Sequence, residues 1–190
     1  GNNLGCDPFN THSVAFTVDD LTVGDFVGLF YTNENGDLTF AQAQEYLGSN
    51  FAFSVCGDDE TTEEKDGFDV GESFIWQLWP VGEDCAYSIE VEYNTSQPSE
   101  GEYEVNGMSQ VVSISGSSLE ASVSVTDALC NGVFGWFQVY ETGGTPPIEV
   151  LTYDFTISPE PLDPNFLLAG SYTTIVTDAN GCSVSLDFEI

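Results

Sequence analysis

The sequence predicts an all-β protein built from two tandem β-sandwich domains of immunoglobulin-like type. Three observations carry that expectation. Short runs alternate apolar and polar residues along most of the chain, the period of a strand with one buried face. Clusters of Gly, Asn and Asp separate those runs. Two cysteines 52 residues apart, Cys130 and Cys182, bracket four or five of the runs in the second half, as in small disulfide-closed domains.

Taken in order, the first group of strands is expected at His12–Val18, Phe26–Thr32, Leu38–Tyr46, Asn50–Cys56, Ser73–Trp79, Cys85–Tyr93, Tyr103–Val105 and Met108–Ile114. Asn35-Gly36 lies between the second and third, a hairpin signal because both residues tolerate positive φ. Phe74, Trp76 and Leu78 share one face of their strand, and Ile89, Val91 and Tyr93 share a face of the next. Each face needs another to leave water, so two packed sheets are expected. The stretch Phe40–Leu47 has some helical character but is too short to stand alone, and strand is the better reading. Around Ser115-Gly116-Ser117-Ser118 the composition turns small and polar. The domain boundary is placed there, giving domains 1–115 and 116–190. The second domain is expected to hold strands at Leu119–Val125, Val133–Glu141, Ile148–Phe155, Ser171–Thr177 and Ser183–Ile190. Asp178-Ala179-Asn180-Gly181 is the tight turn before the last of them. At about 75 residues its core is small, and a cross-link stabilises such a core effectively.

Charge excludes whole classes of function. Against 32 Asp and Glu stand one Lys, Lys65, and no Arg, for a formal net charge of −31. Such a chain repels phosphate backbones and anionic bilayers, so nucleic-acid binding and membrane adsorption are not expected. Divalent cations, basic partners or plain solubility in saline surroundings remain. An apolar fraction of 41%, with 14 Phe and 8 Tyr, supplies packed cores and argues against disorder. No apolar run is long enough to span a membrane. The chain opens at Gly1-Asn2-Asn3 without a recognisable export signal, and is read as a processed product or a piece of something longer.

Five cysteines without a CxxC pair point to disulfides rather than zinc, hence to an extracellular setting. Cys130 with Cys182 is the expected pair of the second domain and Cys56 with Cys85 that of the first. Cys6 is left over or competes for one of the latter two.

Local chemistry is concentrated in the loop from Asp58 to Glu72, which holds eight of the 32 carboxylates. Asp58, Asp59, Asp66, Asp69 and Glu72 are the candidate ligands for Ca²⁺, a cation that takes six to eight oxygens; the alternative is a solvated loop. Asn33-Glu34-Asn35-Gly36-Asp37 superficially resembles a calcium loop, but Tyr31 and Gln42 would fall at ligand positions, so it is read as a hairpin. The single histidine, His12, is read as structural, and no catalytic residues are expected. Trp76, Trp79 and Trp136 are weighed as a carbohydrate platform. The alternation around Trp76 favours core, and Gly135-Trp136-Phe137 can turn only one ring inward.

Beyond these features, the second domain carries Cys130-Asn131-Gly132, Gly143-Gly144-Thr145-Pro146-Pro147, Leu168-Ala169-Gly170-Ser171-Tyr172 and Val176-Thr177-Asp178-Ala179-Asn180-Gly181-Cys182 in that order. On these words it resembles the SprB-type repeat of Bacteroidota surface adhesins. The chain departs from the pattern at Pro147-Ile148, where a Tyr usually follows. The first domain resembles a module of large secreted proteins of the same bacteria, through His12, Val23–Tyr31, Gly57-Asp58-Asp59, Lys65-Asp66-Gly67-Phe68 and Asn106-Gly107-Met108-Ser109. These resemblances imply a long, multidomain, type IX-secreted protein of the cell surface, used in gliding, adhesion or attachment, whose partners include other copies or domains of itself. The expected function is a structural or adhesive module. The alternative is a glycan-binding, lectin-like module, with Ca²⁺ in the acidic loop.

Overall fold

The computed structural model describes residues 9–128, 134–154, 160–163 and 167–190. The chain divides into two compact units, Gly1–Gly116 and Ser117–Ile190. Both are all-β, and among the described residues there is no α-helix.

Unit 1 holds β1 (Thr11–Phe16), β2 (Phe26–Thr32), β3 (Leu38–Glu45), β4 (Phe51–Cys56), β5 (Ile75–Trp79), β6 (Tyr87–Tyr93) and β7 (Met108–Ser115). They form one sheet in the order β3-β2-β5-β6-β7-β1-β4. Pairing is antiparallel except between β1 and β7, which run parallel with Ser13 opposite Met108 and Phe16 opposite Val111. The end strands β3 and β4 are consecutive in sequence and meet at their joining turn, where Tyr46 and Phe51 rings lie 6.3 Å apart. Two facing sheets were expected here. Instead a single sheet curls until it nearly closes, so that its inner face buries itself.

Alternation explains that burial. Val14 and Phe16, Val27, Leu29 and Tyr31, Phe53 and Val55, and Trp76 and Leu78 all point inward at 6% exposure or less. Aromatic edges lock the centre: Phe16 and Phe53 both pack edgewise on Trp76, at 5.1 and 5.3 Å between centroids. Trp76 Nε1 donates to the Tyr93 hydroxyl at 2.8 Å. Burial pushes the Tyr93 pKa up to about 12, with the Trp76 hydrogen bond pulling the other way. The expected strand Tyr103–Val105 is absent: the isolated bridge of Glu102 with Ser73 lies just before it, Tyr103 exchanges backbone hydrogen bonds with Gly71 and Glu72, and its fully buried ring fills one end of the sheet.

Unit 2 holds β8 (Glu120–Thr126), β9 (Trp136–Thr142), β10 (Glu149–Tyr153), β11 (Ser171–Thr177) and β12 (Ser183–Glu189). β8 and β9 pair with each other, and β10-β11-β12 form a second antiparallel sheet. The two share a small apolar cluster of Leu167, Tyr172 and Phe188, against which Val123, Val125 and Phe137 pack. A pair of facing threonines, Thr152 and Thr174, is hydrogen-bonded at 2.8 Å inside the three-stranded sheet.

Candidate functional site

Two of the motif words of unit 2, Gly143–Pro147 and Val176–Cys182, meet in one hydrogen-bonded corner, while Cys130-Asn131-Gly132 lies outside the described residues. Asp178 is 5% exposed. Its Oδ1 accepts the N–H groups of Asn180 and Cys182, each at 2.9 Å, and its Oδ2 accepts that of Thr145 at 2.9 Å. A carboxylate saturating three backbone donors fixes both chains it touches. Ala179 N–H donates back to the Thr145 carbonyl at 2.8 Å and Asn180 Nδ2 to the Thr145 hydroxyl at 3.0 Å. Gly143 sits at φ +67°, and a Cβ there would collide with the Ser118 carbonyl, so no other residue fits. The motif is therefore structural, a corner that ties the β9–β10 loop to the β11–β12 turn.

In unit 1, His12 and the Asn106–Ser109 word meet at the end closed by Tyr103. His12 is fully buried beside Phe74 and Tyr103, with ring centroids 5.0 and 5.7 Å away. Its Nδ1 takes the Glu104 N–H at 3.0 Å, and Nε2 lies 2.9 Å from Ser109 Oγ. Burial lowers its pKa, outweighing the Glu104 backbone and charge, which raise it. Sequence reasoning found no serine near His12, because Ser109 is 97 positions away and arrives through the parallel β1–β7 pairing. The pair has 0% exposure on both sides, so no substrate reaches it.

The acidic loop is a set of caps around one cation. Lys65 Nζ is 2.7 Å from Glu72 Oε2 and 2.9 Å from Asp69 Oδ2, and stands 5.7 Å over the Tyr31 ring. Burial alone would lower the Lys65 pKa, but its hydrogen bonds to Glu72 and Asp69 outweigh that and raise it. Glu72 also accepts N–H groups from Thr32 and Asp69. Asp58 accepts the Asp66 N–H, Asp66 accepts the Asp59 N–H, and Asp59 caps Thr61. Asp58, Asp59 and Asp66 thus turn oxygens to separate backbone donors, while Asp69 and Glu72 share Lys65. Among the described residues no group of three or more His, Cys, Asp or Glu converges as a metal site.

Cys56, Cys85 and Cys182 are each disulfide-bonded. The expected bond between Cys56 and Cys85 does not fit the register. Cys56 O accepts the Phe68 N–H at 3.0 Å, and Phe68 packs on Phe74, just before β5. Leu78 opposite Tyr87 puts Cys85 beyond the other end of β5. Five residues of strand separate the two by roughly 17 Å, well past the ~7 Å that a disulfide bridges between Cα atoms. Cys6 and Cys130, the latter the expected partner of Cys182, lie outside the described residues.

The tryptophans divide. Trp76 is core at 2% exposure, whereas Trp79 and Trp136 are 51% and 55% exposed. Trp79 belongs to a groove on the outer face of unit 1, a cavity of about 620 Å³. Three cross-strand rows build it. Phe26 stands between Glu45 and Trp79, Gly28 between Ala43 and Gln77, and Phe30 between Phe40 and Ile75. Directly opposed residues project to the same side, so two aromatic rows flank a row whose centre has no side chain. The approach is close: a Cβ on Gly28 would meet Phe30 Cε2 at 2.9 Å and have to displace that ring. Between Leu29 and Phe30 the register of β3 slips by one residue. That bulge turns Ala41 onto the core and Phe40 outward, re-aiming one side chain as bulges do.

The far wall is held rigidly. Trp79 Nε1 donates to the Glu83 carbonyl at 2.6 Å, which fixes the indole with its face in solvent. Asp25, 5% exposed, accepts the Val81 N–H on Oδ1 and the Thr22 N–H on Oδ2, both at 2.8 Å, tying the β5–β6 turn to the start of β2. The surrounding field is negative. Tyr87 has its pKa raised by burial and then by Asp25 and Glu83. Neither basic side chain of the protein is at the groove: Lys65 is held by Glu72, and His12 is buried. Sequence reasoning missed this site, yet Phe26-Val27-Gly28-Leu29-Phe30 carries a signal. It is apolar on both faces, where a strand with one wet face should alternate.

Compared with protein-family models, with curated proteins and with solved structures, the chain matches none.

Proposed function

We propose that this chain is an adhesive module of a large secreted or cell-surface protein, and that the groove on unit 1 is its contact site. One observation carries the reading. Phe26, Phe40, Trp79 and Val81 are each 45–59% exposed and contiguous, and apolar patches of this kind on a soluble surface mark interaction sites. The cavity is of the size of ordinary binding pockets. Disulfide-bonded Cys56, Cys85 and Cys182 support an oxidising, extracellular setting. The corner built on Asp178, Gly143 and Thr145 gives the SprB-type motif a physical role, and supports unit 2 as a small immunoglobulin-like sandwich of the type found in gliding and attachment proteins exported by the type IX system. Unit 1 would then present the contact surface and unit 2 would space it.

A glycan-binding reading is favoured by one observation, the exposed Trp79 face locked through its N–H. Flow-chamber retention tests the proposal. Beads coated with the 190-residue chain are expected to hold on at least one surface of a panel bearing peptides or glycans, and beads coated with Trp79→Ala to wash off it. Equal retention of the two would remove the groove from the function.

A further inference from the structure

We propose that the groove docks an extended segment of a partner protein carrying lysine or arginine between apolar residues; this rests on the groove's being the contact site. Length argues for a chain segment. The groove crosses β3, β2 and β5 and reaches Ala86, just before β6, about 14 Å at ~4.8 Å per strand, or roughly four residues of extended chain. Its composition argues against sugars. Gln77 and Glu83 are the only long polar side chains lining it, so most hydroxyls of a bound glycan would lose water without gaining a partner.

Charge selects among apolar occupants. A second copy of this chain brings another −31, and like charges brought together oppose docking. An anionic lipid surface is repelled in the same way. A basic segment is attracted. Glu45 beside Phe26 and Glu83 beyond Trp79 stand at the two ends of one aromatic row. The methylene stem of a Lys or Arg would lie along Phe26 and Trp79, its charge over a ring face or against one of these carboxylates. Apolar neighbours in the segment would fill the space over Gly28 between the aromatic rows.

The test uses the whole chain and short capped peptides: Lys-Val-Lys-Val-Lys, its Glu and Gln counterparts, and a panel of neutral glycans. Calorimetry is run on the wild type, Trp79→Ala and Phe40→Ala; both replaced side chains are more than half exposed, and melting curves check that the fold is kept. The Lys peptide should bind the wild type, and each variant should weaken it about tenfold or more, as loss of an aromatic anchor does. The Glu peptide should not bind, and added salt should weaken the Lys peptide. Equal binding of the Lys peptide to wild type and Trp79→Ala would mean bulk charge attraction and overturn the inference. Trp79-dependent binding of glycans, or of the Gln peptide as tightly as the Lys peptide, would overturn the basic occupant and leave the groove as contact site. No Trp79-dependent binding of any probe would overturn both.

Discussion

Replacing Lys65 by methionine isolates the one cation this acidic chain has. Its side chain is 11% exposed and that of Glu72 15%, while Asp69 is 67% exposed. The interaction to reckon with is therefore Lys65–Glu72; the Asp69 contact is screened by water and counts for little. Removing one partner of a well-buried pair costs about 3–5 kcal/mol, because the other charge is left buried alone. Glu72 keeps the N–H groups of Thr32 and Asp69, and methionine preserves most of the lysine stem against Tyr31. Both reduce the loss, to about 2–3 kcal/mol, or a drop in melting temperature of roughly 10 °C for a unit of this size. Urea denaturation followed by circular dichroism measures it without adding salt. Lys65→Met with Glu72→Gln should recover at least about 1 kcal/mol over Lys65→Met alone, since the orphaned charge is gone. Because folding raises the Lys65 pKa, its contribution is complete below about pH 10.4 and is lost as pH rises through the folded value. A Lys65→Met chain within about 0.5 kcal/mol of wild type, the scatter of ordinary surface substitutions, would refute this reasoning.

Other expectations follow from the same contacts. His12 has its pKa lowered by burial, so the neutral form belongs to the fold. Stability should be full above about pH 6.5 and decline as pH falls from there toward the folded value, a slope that His12→Gln should flatten in urea titrations. Ser109→Ala strands His12 Nε2 and should cost about 1–3 kcal/mol, read by the same method. Asp178→Ala removes the acceptor of three N–H groups and should speed hydrogen exchange at Thr145, Asn180 and Cys182, leaving unit 1 amides unchanged. Gly28→Ala should push Phe30 aside and weaken groove binding several-fold while costing stability less than about 1.5 kcal/mol, checked by calorimetry beside a melting curve.

Much of the strand pattern was legible in residues alone. Phe26–Thr32 and Ser171–Thr177 are strands end to end as expected, because period-two alternation and flanking turn residues are local signals. The Asn33–Asp37 hairpin followed from Asn35-Gly36: Gly36 has φ +84°, and Asn33 Oδ1 accepts the N–H groups of Asn35 and Asp37. The candidate site was not legible. It depends on which strands become neighbours and in what register, and no local pattern places Trp79 beside Phe26, 53 positions away, or sets a bulge at Ala41.

The sequence by itself therefore determined that this is an acidic all-β chain with cores rich in aromatic residues, oxidised cysteines and a structural histidine. Each of these follows from composition or from a period of two residues. Only the tertiary structure decided that unit 1 is one nearly closed sheet rather than two facing ones, that Cys56 and Cys85 are too far apart to bond, and that the acidic loop spends its carboxylates on Lys65 and backbone amides. The physical reason is common to all three. Strand order and register are set by long-range pairing, in which many arrangements satisfy the same alternation and only packing chooses among them.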